Sequence, residues 1–477
     1  MSKTVQEIIE HARAQNVQMV DLKFCNLFGG WHHITLPVSQ LNEELFRSGE
    51  GFDGSSIPGF AELEAGDLVA IPDPATAFID PFWQQKTLSF ICNIAVPGKL
   101  ERYERDPRAI AQKAEDFLRT CGIADDSRWG PEFEFHIFDN VRVRNDIAEA
   151  SYRVDAGEAH WHRADDDEAN LGYKVNYKGG YHVIPPHDSM YNLRSEMVRI
   201  IEGMGIPVRY HHHEVGGPGQ SEIEVKMTPL LRAADITMQV KYVTKMAAKQ
   251  HGKTVTFMPK PLYNEAGNGM HFHQLLLKNG QPLFFDEAGY AGLSDVARWY
   301  IGGLLTHGPA LLALTNPSTN SYKRLVPGFE APVQLFFGLA NRAAAIRIPK
   351  YANAPLEKRF EFRPPDATCN VYLAIAAQLM AGIDGIRRKI DPTAAGFGPF
   401  DKKISQMNAE ELAQIKSLPT SLDDTLAALE KDHAFLLEGG VFTEDMVKGW
   451  IKSKRAKDAA AVRNRPHPYE IEMYFDC

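Results

Sequence analysis

The sequence lacks the long apolar runs and the cysteine patterns that mark membrane proteins and disulfide-rich proteins. No stretch of about 18 consecutive apolar residues occurs, so we expect no transmembrane helix. The five cysteines are scattered without C-x-x-C spacing, which is typical of buried or incidental thiols in a reducing cytoplasm. Residues 1–10 predict the start of an amphipathic helix and lack the apolar block of a signal peptide. We therefore expect a cytoplasmic protein that makes no membrane contact.

The sequence also lacks a basic excess and a phosphate-binding loop. Lys and Arg total 52 against 61 Asp and Glu, a net charge of −9, which argues against general nucleic-acid binding. No G-x-x-x-x-G-K-[ST] motif occurs. Residues 49–54 match G-x-G-x-x-G, but a predicted helix at 41–47 precedes them and a Gly-rich loop is predicted at 49–60. A dinucleotide fingerprint needs a strand before it and a helix after it, so any nucleotide is held in another way.

The composition is that of an ordinary globular protein with more than one domain. The 477 residues are 44% hydrophobic and 24% charged. A helix is predicted at 4–15 and strands at 18–25, 32–36 and 87–95. Asp106-Pro107 predicts the start of a helix that ends near Cys121, before Gly122. We therefore predict an α+β chain with a small domain at residues 1–103 and a large domain at 104–477, whose further helices lie near 188–204, 231–251, 293–314, 370–388, 421–437 and 443–458.

Paired carboxylates alternate with aromatic residues in the stretch Gly130–Phe138. Successive side chains of a strand point to opposite faces, so Glu132 and Glu134 share one face and Phe133 and Phe135 the other. Two neighbouring carboxylates repel each other unless a cation neutralises them. Taken alone, such a pair is more often the solvated face of a strand.

Three further segments repeat this alternation. The pairs are Glu222 with Glu224, where Glu214 lies eight residues upstream of Glu222, and His271 with His273; the third segment contains Arg359, Glu361 and Arg363. Together the four segments predict one curved antiparallel sheet with a charged face. Carboxylates with one imidazole suit Mg²⁺ or Mn²⁺, and cations next to arginines suit a polyphosphate.

Histidines in these segments also have simpler interpretations. A lone His-x-His is weaker evidence than a Glu pair, since either ring could be a hydrogen-bonded core residue. The tract His211-His-His213 looks like a metal-binding tract by composition. We expect instead an ordinary segment in which at most one ring approaches the site.

Many stretches along the chain resemble one family, type I bacterial glutamine synthetase. Their order and spacing match over nearly the whole length. The matching stretches are Phe52-Asp-Gly-Ser-Ser-Ile57, Gly130-Pro-Glu-Phe-Glu-Phe135, Lys178-Gly-Gly-Tyr181, His213-Glu-Val215, Gly219-Gln-Ser-Glu222, Phe257-Met-Pro-Lys-Pro261, Gly269-Met-His-Phe-His273, Asn316 to Pro332, Asn341-Arg342, Ile346-Arg-Ile-Pro349, Glu361-Phe-Arg363 and His467-Pro-Tyr-Glu470.

The resemblance implies a fold, an assembly and a reaction. The fold is a small β-grasp-like N-terminal domain with a large catalytic domain. The assembly is a homododecamer of two hexameric rings, with active sites between adjacent subunits. The reaction joins ammonium to L-glutamate with ATP, giving L-glutamine, ADP and phosphate through γ-glutamyl phosphate, with two Mg²⁺ or Mn²⁺ per site. Two alternatives remain open: a γ-glutamyl ligase that acts on a larger amine, and an inactive structural relative.

The resemblance also implies a role for each matching residue. The first metal would be held by Glu134, Glu214 and Glu222, and the second by Glu132, His271 and Glu361. Glutamate would be held by Arg324, Arg363 and Gly267, and the transferred phosphate by Arg342 and Arg347. ATP would be contacted mainly by Tyr181, His273 and Arg359. Asp53 would bind ammonium and help to remove its proton, and Glu330 would lie on a flap that closes over the intermediate.

Two sets of positions depart from the family's pattern. Ala266, Leu275 and Leu356 stand where polar residues are common near the nucleotide, which leaves the adenine contacts open. Many type I members also carry a tyrosine that is modified with AMP. Ser405 occupies that position, and no tyrosine lies between Tyr372 and Tyr469. We therefore predict an enzyme that is not controlled by adenylylation.

Overall fold

Two β-sheets, one in each part of the chain, organise the computed structural model, which describes residues 4–60, 66–162, 170–402 and 406–477. Among these residues the first sheet contains six strands, the second eleven, and a separate antiparallel pair the remaining two. The strands are β1 Met19–Cys25, β2 Trp31–Pro37, β3 Glu50–Asp53, β4 Asp67–Pro72, β5 Phe78–Asp80, β6 Thr87–Ala95, β7 Asp126–Phe138, β8 Asn140–Asn145, β9 Ala150–Asp155, β10 Val208–His213, β11 Gln220–Val225, β12 Thr228–Pro229, β13 Thr254–Thr256, β14 Phe272–Lys278, β15 Gln281–Pro282, β16 Gln334–Leu339, β17 Ala344–Ile348, β18 Phe360–Phe362 and β19 Lys416–Ser417.

Helices occur in both parts of the chain. They are α1 Val5–Ala14, α2 Glu43–Ser48, α3 Pro107–Thr120, α4 Tyr191–Gly203, α5 Leu230–Gln250, α6 Asp295–Thr306, α7 Gly308–Thr315, α8 Ser321–Arg324, α9 Val371–Arg388, α10 Ala409–Gln414, α11 Leu422–Lys431, α12 Ala434–Leu437, α13 Glu444–Lys454, α14 Ala460–Arg463 and α15 Pro468–Tyr474. Across the described ranges, no helix combines the length and the apolar character needed to span a membrane.

The first sheet has the order β2-β1-β6-β4-β3, with β5 beside β6. Strands β1 and β6 run parallel and the other pairs are antiparallel. Helix α1 buries Ile8, Ile9 and Ala12 against its apolar face. The Thr4 side chain caps this helix by accepting from Glu7 N, and Glu7 accepts in return from Thr4 N.

The prediction of a Gly-rich loop at 49–60 is wrong for residues 50–53, which form strand β3. This strand pairs antiparallel with β4, from Glu50 opposite Ala70 to Asp53 opposite Asp67. Gly49 provides the turn from helix α2, with φ +74°, and a Cβ there would lie 2.8 Å from Ala70 O. This segment is a strand because it pairs with β4, and the local sequence pattern does not show that pairing.

The second sheet is a curled half-barrel, in the order β10-β11-β7-β14-β18-β17-β16-β19. All pairs on this path are antiparallel except β16 with β17. The four alternating segments therefore lie in one sheet, as predicted. Glu222 lies opposite Glu134, and Glu361 lies opposite both His273 and Arg347. Their apolar neighbours, such as Phe133 and Phe135, are fully buried.

Three predicted helices end earlier than expected. The helix predicted at 293–314 is two helices, α6 and α7, that meet at His307, since Pro309 fits only the first turn of a new helix. The helix predicted at 421–437 is likewise divided into α11 and α12. Helix α13 ends at Lys454 and continues as a π-helical turn, Arg455–Ala459.

A buried arginine joins the two parts of the chain. Arg108 on α3 is 3% exposed and donates through Nε and Nη2 to the Asp235 carboxylate on α5, at 3.0 and 2.9 Å. The same Nη2 lies 2.7 Å from Asp73 Oδ2, just after β4. Tyr372 Oη also donates to Asp235 Oδ1, at 2.8 Å. The first sheet is thus tied to two helices that pack against the second.

Candidate active site

A cavity of about 360 Å³ opens on the polar face of the second sheet. It collects all the predicted site residues except Asp53, His273 and Arg359. The lining residues are Glu132, Glu134, Tyr181, Tyr210, His212, Glu214, Val215, Gln220, Glu222, Ala266, Gly267, His271, Arg324, Phe329, Glu330, Ala331, Arg342, Arg347, Tyr351, Glu361 and Arg363.

Buried carboxylates crowd one end of this cavity. Glu132 and Glu134 point in from β7 and Glu222 from β11, while Glu214 directly follows β10. Burial and the neighbouring Glu134 charge raise the pKa of Glu214 to about 8. Burial, with the charges of Glu132 and Glu214, raises the pKa of Glu222 well above its usual range. A cation nearby would favour the charged forms of Glu214 and Glu222.

Two groups of cavity-lining side chains have ligand atoms close enough to share a cation. One is Glu132, His271 and Glu361, and the other is His212, Glu214 and Glu222; within each group the ligand atoms lie within 4.8 Å of one another. Glu214 Oε2 is buried without a hydrogen-bond partner. An oxygen-rich set with one imidazole, and a carboxylate oxygen left without a donor, fit a divalent metal such as Mg²⁺ or Mn²⁺.

Glu134 lies close to both groups, since its charge acts on Glu214 and Glu222 and its carboxylate approaches His271. It lines the cavity, and its Oε2 accepts a hydrogen bond from Gly269 N at 2.6 Å. Its Oε1 lies 3.8 Å from His271 Nδ1, between the two groups. The structure places His212 beside Glu214 and Glu222, with Nε2 3.6 Å from Glu222 Oε2. The third ligand expected with Glu214 and Glu222 was Glu134, so His212 is an additional candidate.

The histidine tract behaves as expected, since one of its three rings reaches the cavity. His212 lies on the wall. The ring of His211 contacts Arg194 and Ser195 instead. The ring of His213 is fully buried, with Nε2 2.9 Å from Glu158 Oε1 and Nδ1 2.8 Å from Glu214 O.

Glu158 is a residue that sequence reasoning missed. Its Oε1 also accepts from Gly219 N at 2.6 Å, and its Oε2 accepts from the Ser189 hydroxyl at 2.6 Å. One carboxylate therefore holds both ends of the 214–219 loop that carries Glu214. No local pattern marks Glu158, because its partners lie 31 to 61 residues away.

Four arginines also line the cavity. Arg347 Nη1 lies 2.6 Å and Arg363 Nε 2.9 Å from the two oxygens of Glu361. Arg324 Nη2 lies 3.2 Å from His271 Nε2, and its Nη1 donates to Pro364 O at 2.8 Å. The Arg342 guanidinium lies 5.7 Å from the centre of the Tyr181 ring. This arginine wall adjoins the carboxylates and suits an anionic ligand.

Two backbone features shape the wall. A Cβ on Gly267 would lie 2.0 Å from Pro259 O, so only glycine fits there. Glu330 adopts φ +60° in the segment between α8 and β16, beside Gly328 at φ +89°. Non-glycine residues adopt such a backbone only when their surroundings hold it.

Three predicted site residues lie off this wall. Asp53 is exposed in the first sheet, where its Oδ1 accepts from Ser55 N and its Oδ2 from the Ser56 hydroxyl. His273 is 1% exposed behind the wall, with Nε2 2.8 Å from Glu132 Oε1. Arg359 packs 5.5 Å from the ring of Tyr351, which does line the cavity. His273 and Arg359 thus adjoin wall residues, whereas Asp53 belongs to a separate part of the chain.

The three residues that depart from the family's pattern near the nucleotide lie at different distances from the cavity. Ala266 lines it, Leu275 is buried in the core beneath the sheet, and Leu356 is exposed on the surface.

Glu224 is buried and paired with Arg209 Nη1, and it lies beside Glu132 and His273 rather than on the wall.

Two domain families, one after the other, match nearly the whole sequence. One is described as glutamine synthetase, catalytic domain, over residues 104–474, and the other as glutamine synthetase, beta-Grasp domain, over residues 16–97. The glutamine synthetase of Frankia alni is 50% identical over 477 residues and is covered completely, as is this chain. That of Aquifex aeolicus is 50% identical over 473 residues, 99% of each chain.

A solved structure gives the same result for the fold. The cryo-EM structure of Plasmodium falciparum glutamine synthetase matches with a TM-score of 0.88 and 30% identity, covering 99% of each chain. The predicted fold, a β-grasp domain followed by a large catalytic domain with a curved sheet, is confirmed. The chain belongs to the glutamine synthetase family.

Proposed function

We propose that the acidic cavity is where this chain makes L-glutamine from L-glutamate, ammonia and ATP. The chain is an ATP-dependent glutamate–ammonia ligase, since its family and its full-length relatives are glutamine synthetases. The single observation that carries the assignment to this cavity is that buried carboxylates and arginines line it together. We also propose that residues 1–103 and 104–477 are its two domains and that it works in the cytoplasm.

The carboxylate end of the cavity would hold two divalent cations. Glu132, His271 and Glu361 would bind one of them. Glu134, Glu214 and Glu222 would bind the other, with His212 beside them. Such cations, when bound, offset the negative charge of nucleotide phosphates. The raised pKa of Glu214 and its buried oxygen that accepts no hydrogen bond support this role.

The arginine wall would bind the two anionic substrates. Arg324, Arg363 and Gly267 would hold L-glutamate, so that its γ-carboxylate faces the nucleotide. Arg342 and Arg347 would hold the phosphoryl group as it passes to that carboxylate, giving γ-glutamyl phosphate and ADP. Tyr181, His273 and Arg359 would contact or support ATP. Bidentate guanidinium groups suit both carboxylate and phosphate, which supports this division.

Ammonia would then displace phosphate from the acyl phosphate. Ammonium must first lose a proton, and Asp53 and Glu330 would attract the cation and accept that proton. Glu330 lies on the cavity wall, but Asp53 of the same chain does not. The exposed carboxylate of Asp53 is therefore available to the cavity of a neighbouring subunit, as the ring arrangement requires.

We propose that twelve chains assemble as two hexameric rings. The hairpin β8–β9 exposes Val143 and Tyr152, at 67% and 62% of their surface, and α15 exposes Met473 and Tyr474. Such side chains on projecting elements are suited to cover one another between copies of this chain. Light scattering would test this, and a monomer that retains full activity would contradict it.

A phosphate-release assay tests the reaction itself. With ATP, Mg²⁺ and L-glutamate, ammonia should give stoichiometric phosphate and glutamine, whereas polyamines should give neither. A polyamine preference would instead favour the γ-glutamyl ligase that acts on a larger amine. The absence of any metal-dependent ATP turnover would indicate an inactive relative.

We also propose that adenylylation does not control this enzyme. Ser405 lies outside the described residues, so the proposal rests on the sequence alone. The enzyme should be purified from nitrogen-rich and nitrogen-starved native cells and treated with phosphodiesterase. Intact mass and activity should stay unchanged. An AMP-sized mass loss with regained activity would contradict the proposal.

A further inference from the structure

The loop that carries Glu330 is held by one aromatic side chain between two lysines. Lys178 Nζ lies 4.2 Å and Lys260 Nζ 3.7 Å from the centre of the Phe329 ring. Lys178 Nζ also donates to Gly328 O at 3.0 Å. Phe329 and Glu330 both line the cavity. The contacts therefore restrain the backbone on the N-terminal side of Glu330.

Both lysines are themselves fixed to the body of the protein. Lys260 N donates to Asn320 Oδ1 at 2.7 Å, and Asn320 Nδ2 donates to Lys260 O at 3.1 Å. Lys260 Nζ donates to Glu265 O, and Lys178 N donates to Glu265 Oε2 at 3.3 Å. Glu265 is only 2% exposed. Three separate loops thus meet at the Phe329 ring.

Two cations this close together are costly, which indicates that something offsets their repulsion. Burial and the charge of Lys178 lower the pKa of Lys260 to about 8. The π-face of an aromatic ring attracts an ammonium group, most strongly when water is partly excluded, and the buried Glu265 carboxyl adds negative charge nearby. Lys260 is half-buried at this contact.

The backbone at the loop needs such a restraint. Glu330 at φ +60° is not held by its own preference, because left-handed backbone is unfavourable for glutamate. Gly328 at φ +89° gives the preceding turn its freedom.

We propose that Lys178 and Lys260 form a cation–π latch on Phe329 that keeps the Glu330 loop closed during the reaction. The three are positioning residues, since they act through Glu330. The inference rests on the proposed role of Glu330 as the flap residue. With the loop open, water would attack the acyl carbon of γ-glutamyl phosphate, giving back L-glutamate and phosphate. The net reaction would then be ATP hydrolysis to ADP and phosphate without glutamine.

The test compares Phe329→Leu, which removes the ring, with Phe329→Tyr, which keeps it. Phosphate and glutamine should be measured together, with ammonia at low and saturating concentration. For the wild-type enzyme the ratio of phosphate to glutamine should be close to one. Phe329→Leu should raise the glutamate-dependent phosphate release that yields no glutamine by about twofold to thirtyfold, the range expected from loss of one such contact. Phe329→Tyr should stay close to wild type.

Lysine variants supply an independent arm that keeps the protein folded. Lys178 is exposed, so Lys178→Met should fold and show the same uncoupling, and Lys178→Arg should restore coupling. Lys245→Met is the matched control: it removes a lysine 5.9 Å from the Phe257 ring, away from the cavity, and should leave the ratio unchanged. Hydrogen exchange of residues 326–331 should quicken in Phe329→Leu and in Lys178→Met, whatever the activity.

The outcomes separate this inference from the proposed function. A wild-type enzyme that makes no glutamine would overturn the function. A wild-type enzyme that makes glutamine, with coupling and exchange unchanged in Phe329→Leu and Lys178→Met, would overturn the latch. Equal uncoupling in Phe329→Leu and Phe329→Tyr would also overturn it, since both would then act through something other than the ring.

Discussion

Neighbouring side chains shift the pKa values of the cavity carboxylates in opposite directions. Substitutions of different carboxylates should therefore have different effects. Hydrogen bonds from His271 and His273 overcome the effect of burial and hold the pKa of Glu132 well below its usual range. Glu214 and Glu222 have no comparable donors, and their pKa values are raised. The carboxylates therefore differ in charge before any cation arrives, although they share one cavity.

The first prediction concerns Glu134, which lies between the two ligand groups. Glu134→Gln should lower turnover by about 100-fold or more, because a neutral amide weakens a hard-cation site and misplaces the reacting groups. Assembly should remain largely intact. The measurements are turnover at saturating Mg²⁺ and particle mass by light scattering. Turnover near that of the wild type would refute the assignment of Glu134.

The second prediction concerns Asp53. Asp53→Ala should raise the KM for ammonium far more than the KM for ATP, because the lost carboxylate attracts a cation. Hydroxylamine is uncharged near neutral pH, so its use as the nucleophile should be less affected. Steady-state kinetics with each nucleophile supply the comparison. Equal losses with both would mean that Asp53 only caps its own turn through Ser55 and Ser56.

At the scale of elements, short contacts fix the ends and junctions of helices. His307 lies at the junction of α6 and α7, stacked 4.0 Å from the ring of Phe435 on α12. Its Nε2 lies 2.8 Å from Asp384 on α9 and its Nδ1 2.8 Å from Asp432 after α11. One imidazole therefore joins five helical elements, α6, α7, α9, the end of α11 and α12.

The third prediction is a pH dependence of stability at this junction. Burial opposes protonation, but the two aspartates raise the pKa of His307 above its ordinary value. The stabilisation by His307 is therefore fully present below the unfolded pKa of about 6.5 and is lost as pH rises through the raised folded value. The pKa of Asp384 is lowered: burial opposes this, and His307 and Arg388 outweigh it. The Asp384 contribution therefore disappears only in acid, as pH falls through its lowered folded pKa.

The variant His307→Gln should be less stable than the wild type by about 1–3 kcal/mol at pH 6, and the difference should shrink by pH 9. Denaturant unfolding at the two pH values measures it. A difference that is constant, or that grows with pH, would contradict the protonated state of His307.

At the scale of the whole molecule, Arg108 links the first sheet to helices α3 and α5. The fourth prediction is that Arg108→Met lowers the free energy of unfolding by about 3–5 kcal/mol, because it leaves the buried Asp235 and its neighbour Asp73 without their cation. The denaturation midpoint is the measurement.

Arg119→Met is the control for this prediction. It lies on the same helix but pairs with Asp116 at the surface, so its loss should cost under about 1 kcal/mol. Equal effects of the two variants would show that the buried Arg108 pair contributes no more to the free energy of unfolding than a surface pair does.

The sequence by itself determined which residue types meet at the site and on which face of each strand. The period of two in β7, β11, β14 and β18 is a local property, so alternation alone put Glu132 and Glu134 opposite Phe133 and Phe135. The same holds for single helices such as α9 and α5, whose predicted bounds differ from those observed by one residue. The roles of the site residues stay predictions that the proposed experiments test.

Only the tertiary structure decided which distant segments touch. The strand β3 exists because β4 pairs with it, Glu158 reaches His213 across 55 residues, and Phe329 lies between lysines about 70 and 150 residues away in the chain. No local pattern records such contacts, since their free energy arises only when the chain is folded. The contacts of His307 likewise join it to carboxylates from α9 and from the residue after α11. Charge and alternation along the chain therefore predicted which kinds of side chain share a face of each strand, and packing between remote segments decided the geometry in which they meet.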